Sequence, residues 1–270
     1  MKNLSSIMKL IMPIIILIVA FSYSKLIGAA VILVAALIWA YFNRYFYYYI
    51  RGNAFYKSDN IEQAFDYYEK TIKVKNCPSK IKTVYAYLLL KNRNLEKSEQ
   101  LLNSLNLSKL NIPDRNQTRL NLALVYWKQG KLDKALELLE RVYNEFKCLT
   151  MYESYGYLLI LKGDYEKALK INLEAYEYDS SSQVIIDNLG ETYYHLKDFD
   201  KSYELYKGLI DNEPSFPEAY YHFALILIEK GENGQALEML NKALNYKESF
   251  LSEVNHALIN KKIEEIKQCL

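Results

Sequence analysis

The residue types that carry out bond chemistry are thinly spread through this sequence. Its three histidines, His195, His222 and His256, stand far apart, with no histidine or carboxylate at metal-ligand spacing beside them. Cys77, Cys148 and Cys269 are an odd number at wide intervals, with no redox or zinc spacing and no sequence-local histidine to activate a thiol. No glycine-rich phosphate loop follows a strand-like run. The acids recur on what read as solvated helix faces. The sequence therefore predicts no catalytic residues, no metal site and no cofactor. Its work would be binding.

Composition narrows the class. Fifty-one per cent hydrophobic residues exclude a wholly disordered chain, and 9 Gly with 5 Pro among 270 residues argue against collagen-like and turn-rich β architectures. A net charge of +2 supplies no footprint for nucleic acid. The basic residues are unevenly placed. Lys2, Lys9, Lys25, Arg44 and Arg51 occur before the first acid, Asp59. That apolar, acid-free start reads as membrane, and the mixed-charge remainder as soluble.

Two uncharged stretches lie back to back in the start, Leu10–Ser24 and Leu26–Phe42. With Ile7 and Met8 added to the first, they predict two transmembrane helices, about 7–24 and 26–42, joined by a short tip at Lys25. An aromatic collar from Trp39 through Tyr49 suits a helix leaving the bilayer, and the flanking lysines and arginines place both ends in the cytoplasm. Cleavage of the first stretch as a signal peptide is the competing reading, and it would export the rest. No Gly or Pro separates Trp39 from Arg51, so the second span is expected to run unbroken into the next helix. Gly28-Ala29-Ala30 offers a small-residue face for self-association.

The remainder repeats itself. Ala64, Ser98, Ala135, Ala168, Ser202 and Ala236 each open an amphipathic segment, at spacings of 34, 37, 33, 34 and 34. Twelve residues before each stands Gly52, Ala86, Ala123, Gly156, Gly190 or Ala224, and three residues after that comes Phe55, Leu89, Tyr126, Leu159, Tyr193 or Leu227. Small residues in pairs let two helices cross closely, and bulky ones fill the space beside the crossing. Breaks such as Gly130-Lys131, Gly163-Asp164, Lys197-Asp198 and Gly231-Glu232 close each hairpin. The repeat opened by Ser98 departs from the pattern, with Asn94-Leu95 at its break. Three extra residues follow it, placed at Asn111–Asn116, where Pro113 is expected to break a helix. Ser249–Leu270 has helical periodicity through Leu251, Val254, Leu258, Ile263 and Ile266 and reads as a cap.

With its small-residue pairs and breaks such as Leu161-Lys162-Gly163-Asp164-Tyr165-Glu166-Lys167-Ala168, the chain resembles the tetratricopeptide repeat family. The expectation is an all-α, right-handed solenoid of about six repeats over 45–246, preceded by a membrane hairpin at 1–44 and closed by a capping helix at 247–270. What the resemblance implies is a protein-binding scaffold whose first helices line a concave groove. Carried onto this sequence, the groove residues are Tyr56, Lys57, Tyr87, Lys91, Leu124, Trp127, Lys128, Glu153, Tyr157, Asp187, Glu191, Tyr194, Tyr221 and Glu229. An aromatic stripe runs through them, with lysines toward the membrane end and acids toward the other, a polarity that would orient a peptide. The full carboxylate clamp of chaperone-binding members is absent. The reading is a membrane-anchored scaffold that recruits a protein or peptide, with the lipid bilayer at residues 7–42; a peptide-sensing receptor is the alternative.

Overall fold

The computed structural model describes residues 18–19 and 21–268, which contain fourteen α-helices, one 3₁₀ turn and no strand. The chain divides into two compact units at Lys82/Thr83. The first expected span, 7–24, lies for the most part outside the described residues, as does Cys269.

The first unit holds α1 (Lys25–Phe42), α2 (Arg44–Lys57) and α3 (Ile61–Ile72). The chain changes direction at Ser24, whose hydroxyl accepts the Leu26 N–H at 3.2 Å. Phe21 then lies over Gly28, so closely that a Cβ there would be 2.6 Å from its ring. Gly28 is the one buried residue of α1. Leu26, Leu33, Leu37 and Trp39 are all more than 60% exposed. At 18 residues and a mean hydropathy of 2.1, α1 is the one described helix long and apolar enough to cross a membrane. The expected unbroken run into the next helix is interrupted by a single residue, Asn43. Its N–H and its side-chain amide both bond the Trp39 carbonyl, at 3.0 and 2.9 Å. In the α2/α3 hairpin Gly52 meets the Tyr68 ring, and the Tyr68 hydroxyl donates to Asn53 Oδ1 at 2.7 Å.

The second unit stacks five hairpins: α4 (Ser79–Lys91, its first turn across the division) with α5 (Leu95–Asn103); α6 (Ile112–Lys128) with α7 (Leu132–Glu145); α8 (Leu149–Lys162) with α9 (Tyr165–Tyr178); α10 (Gln183–His195) with α11 (Phe199–Asp211); and α12 (Pro217–Glu229) with α13 (Asn233–Ala243). The final helix, α14 (His256–Lys267), packs on α13 and buries Ile259, Ile263 and Ile266.

One turn geometry serves every repeat. Asp59, Arg93, Gly130, Gly163, Lys197 and Gly231 all adopt positive φ, between 59° and 80°. The following N–H reaches back to the carbonyl of Phe55, Leu89, Tyr126, Leu159, Tyr193 or Leu227, which closes the first helix with a left-handed cap. The Ser98 repeat therefore keeps the turn despite lacking glycine, because Arg93 takes the left-handed position and Asn94 caps α5 by accepting the Lys97 N–H. Its extra residues form a 3₁₀ turn at Leu107–Lys109. Pro113 does not break a helix. It sits in the first turn of α6 behind the Asn111 cap, where a missing N–H costs nothing.

Helix crossings follow a size rule. Gly156 and Gly190 face Asn172 and Tyr206, which fill the space a Cβ would take, as Tyr68 does at Gly52. At the same sixteen-residue interval Ala86, Ala123 and Ala224 are followed by Leu102, Leu139 and Leu240, each at most 2% exposed. Where serine replaces alanine on the second helix, its hydroxyl is satisfied by the small residue twelve places earlier: Ser98 donates to the Ala86 carbonyl and Ser202 to that of Gly190, both at 2.7 Å.

The expected C-terminal helix is shorter than its periodicity indicated. It begins at His256, capped by Asn255, and Leu251 and Val254 lie outside it. The hydroxyls of Ser249 and Ser252 accept the N–H groups of Leu251 and Val254, at 3.1 and 3.0 Å, and these local bonds compete with helix.

Candidate protein-binding face

In the second unit the first helices of successive hairpins line up and are joined across their gaps. Thr83 and Thr118 share a hydroxyl bond at 3.1 Å, and the Asn121 amide donates to the Thr83 carbonyl at the same distance. The Trp127 and Tyr157 rings meet edge to face, 5.5 Å between centroids. The Asn188 amide donates to the Glu153 carbonyl at 2.9 Å, and His222 Nδ1 lies 3.0 Å from Asp187 Oδ1. Most of the expected groove residues lie on this face, but they are not equally free.

Leu124, Trp127, Asp187 and Tyr221 are buried and form its floor. Asp187 is used inside the fold, accepting the Tyr206 hydroxyl at 2.9 Å. Tyr87, Lys128, Glu153, Tyr157, Glu191 and Tyr194 are half-buried, and Lys91 and Glu229 are exposed. Tyr56 (half-buried) and Lys57 (exposed) belong to the first unit, at the end of α2.

Toward α12 the face holds a buried ionic cluster. His222 Nε2 lies 3.7 Å from Glu191, and His195 lies 3.8 Å from the same carboxylate. Burial opposes protonation of His222, but the Glu191 and Asp187 carboxylates outweigh it and push the imidazole up to about 9. Burial alone would raise Glu191; the opposing charge of His222 holds it below the usual carboxylate range. Glu153 and Glu218 are raised, chiefly by burial. The histidines are thus less isolated than their spacing indicated: Glu191 stands one turn before His195, and the repeat brings His222 from the next hairpin. Among the described residues no group of three or more His, Cys, Asp or Glu side chains has metal-holding geometry.

Toward α4 the face is covered. The segment Ser249–Asn255 lies across it, with Phe250 and Leu251 packed on the core of the first three hairpins of this unit. Lys128 bonds Glu253 at 3.1 Å and the Ser252 carbonyl at 3.4 Å, and the Tyr157 hydroxyl accepts the Glu253 N–H at 3.0 Å. The Arg93 guanidinium and the Lys128 ammonium both sit over the Phe250 ring, at 5.0 and 5.2 Å. Sequence reasoning missed Arg93, Phe250, Ser252 and Glu253. The signal was Phe250-Leu251 between two serines, a turn-forming setting for an apolar pair.

Comparison with known proteins agrees with this architecture. A tetratricopeptide-repeat family model matches residues 86–146 and 120–183, and a second matches 217–250. Residues 86–183 and 217–250 carry tetratricopeptide repeats. A crystal structure of a tetratricopeptide repeat protein from Parabacteroides merdae superposes with a TM-score of 0.67 at 13% identity, covering 83% of this chain and 84% of that one. A thermophilic TPR protein of Thermus thermophilus gives 0.57 at 17% identity, over 71% of this chain and all of that one. A TPR repeat-containing protein of Methanocaldococcus jannaschii is 25% identical over 123 residues, which is 45% of this chain and 22% of that protein. The bovine BBSome complex member BBS4 is 26% identical over 126 residues, 46% of this chain and 24% of that protein. The matches thus span under a quarter of the curated relatives' length. Tetratricopeptide repeat proteins are in general non-enzymatic scaffolds.

Proposed function

We propose that this protein is a membrane-anchored scaffold that holds an extended segment of a partner protein on the first-helix face of its repeats. The observation that carries the reading is the seating of a non-helical stretch of chain, Ser249–Asn255, on that face, through charged and aromatic groups from successive hairpins. Such a face suits peptide recognition, with aromatic anchors for affinity and charges for direction. Within the second unit Lys91 and Lys128 stand toward α4, and Glu191 and Glu229 toward α12. A partner segment would lie with its acidic part on the lysine side. The naming of a bovine relative as a member of a complex is consistent with assembly work.

The anchoring half of the reading rests on α1, whose apolar side chains face outward on all sides. Such a helix is suited to lipid. With an earlier span before Ser24 it makes a hairpin whose basic flanks, Lys2, Lys9, Arg44 and Arg51, put the repeats in the cytoplasm. On this reading 1–44 is the anchor, 45–246 the repeats and 247–270 the cap.

In-cell photocrosslinking tests the reading. A reactive group at Tyr87 or Tyr194, with a control at the exposed Lys134 of α7, should give a discrete adduct from the first-helix face alone. Equal yields from both faces, or self-adducts only, would sink it. Intact mass of the membrane-extracted protein should match the full chain, and a loss near Ser24 would favour an exported form.

A further inference from the structure

We infer that Ser249–Asn255 is a built-in pseudo-ligand, and that the partner carries the same chemistry: a non-helical segment with an aromatic–aliphatic pair and, two residues beyond it, a carboxylate. This deepens the scaffold reading and rests on it.

Three observations lead here. The first is the economy of the contacts. Phe250 takes two cations, Arg93 and Lys128; Glu253 takes the Lys128 ammonium; and the backbone offers one carbonyl, of Ser252, and one N–H, of Glu253, to side chains of α6 and α8. These are recognition contacts of the kind a scaffold makes with any peptide presenting the same groups. The Lys128 side chain is only 11% exposed beneath the segment, while Glu253 is 58% exposed above it. A cation so covered is satisfied by whatever carboxylate lies on top.

The second is how the segment is hinged. Its two ends are clamped to each other: His256 Nε2 lies 3.0 Å from the Tyr246 carbonyl, and the Glu248 carboxylate accepts the His256 N–H at 2.6 Å. The residues between form a compact loop closed at its base. Phe250–Glu253 can therefore lift while Val254 stays in the core it shares with α13 and α14.

The third is its local weakness. The loop has no regular secondary structure, Val254 is its one buried residue, and several of its hydrogen bonds are its own serine turns. Few buried contacts mark a segment that opens well below global unfolding. Tethered as it is, the segment competes at an effective concentration on the order of millimolar, so a partner must present better contacts or more of them.

The test uses the full chain in detergent and a labelled nonapeptide of the sequence Lys247–Asn255 as the probe. Phe250→Ala/Glu253→Gln should bind it at least tenfold more tightly than the wild type, and adding Lys128→Ala should abolish that gain. Glu253→Gln alone, at an exposed position, should show a smaller gain in the same direction and cannot be dismissed as misfolding. Equal affinity for wild type and variant, or no binding to either, overturns the pseudo-ligand. The scaffold reading is judged separately: it fails where photocrosslinking captures no partner even from the Phe250→Ala/Glu253→Gln strain, and stands where wild type and variant capture it equally while the nonapeptide does not bind.

Discussion

The two halves of the first-helix face satisfy their charges in opposite ways. Toward α12, Asp187, Glu191 and His222 answer one another inside the fold, with Tyr206 closing the ring of partners. Toward α4, Arg93 and Lys128 are answered by a loop that crosses the face from outside the hairpins. Charges paired within the stack hold adjacent repeats in register. Charges paired with a liftable loop are available to something else. The same solenoid thus has a locked half and an open half, and the difference lies in who supplies the counter-charge.

The largest expected effect breaks the locked half. His222→Leu leaves Asp187 and Glu191 buried without their cation and should cost about 3–5 kcal/mol in denaturant unfolding. A loss below about 1 kcal/mol, the size of an exposed pair, would mean the cluster is not structural.

The pH dependence sharpens the same point. His222 keeps its proton up to about pH 9 in the folded chain, against about 6.5 for an unfolded imidazole. Its contribution is therefore complete below about pH 6.5 and is lost as pH rises through about 9. Urea midpoints should fall over that window. They should not fall in an Asp187→Asn/Glu191→Gln variant, which removes the carboxylates that raise the imidazole.

Next in size is Gly190→Ala. Its Cβ would lie 2.5 Å from the Tyr206 ring, the ring that also bonds Asp187, so a cost of about 1–3 kcal/mol is expected. The pairing of Ala with Leu in other hairpins predicts that adding Tyr206→Leu recovers part of it, read as a rise in melting temperature over the single variant. The smallest effect belongs to the open half. Lys128→Ala should change stability by less than about 1 kcal/mol, since its partner Glu253 is largely exposed. Hydrogen exchange at Phe250–Val254 should nonetheless quicken. A global loss of several kcal/mol would erase the distinction between the halves.

Much of the solenoid was legible because its determinants are local. The paired small residues and the large one three places on mark crossings and caps, and all six recur in place. Positive φ at Arg93 and Lys197 was not legible: glycine announces a left-handed cap, whereas a lysine or arginine there is imposed by the repeat around it. Pro113 misleads because a proline begins a helix as readily as it ends one. The cluster at His222 was hidden by distance, its partners lying one repeat away in sequence. The covering loop was hidden by coincidence, since Leu251 and Val254 fall on the helical period of the segment that follows. Only the serine turns distinguish them. The burial of Trp127 and Asp187 depended on neighbours that the register alone did not supply.

The most direct test of the central claim is to lock the loop down. Carbodiimide would join the Lys128 ammonium to the Glu253 carboxylate, 3.1 Å away, as an amide, with a Glu253→Gln chain treated in the same way as the unbridged control and partner capture then read from a photoreactive group at Tyr87. The account predicts that the bridged protein loses the adduct while the unbridged one keeps it. An undiminished adduct from the bridged protein would contradict it.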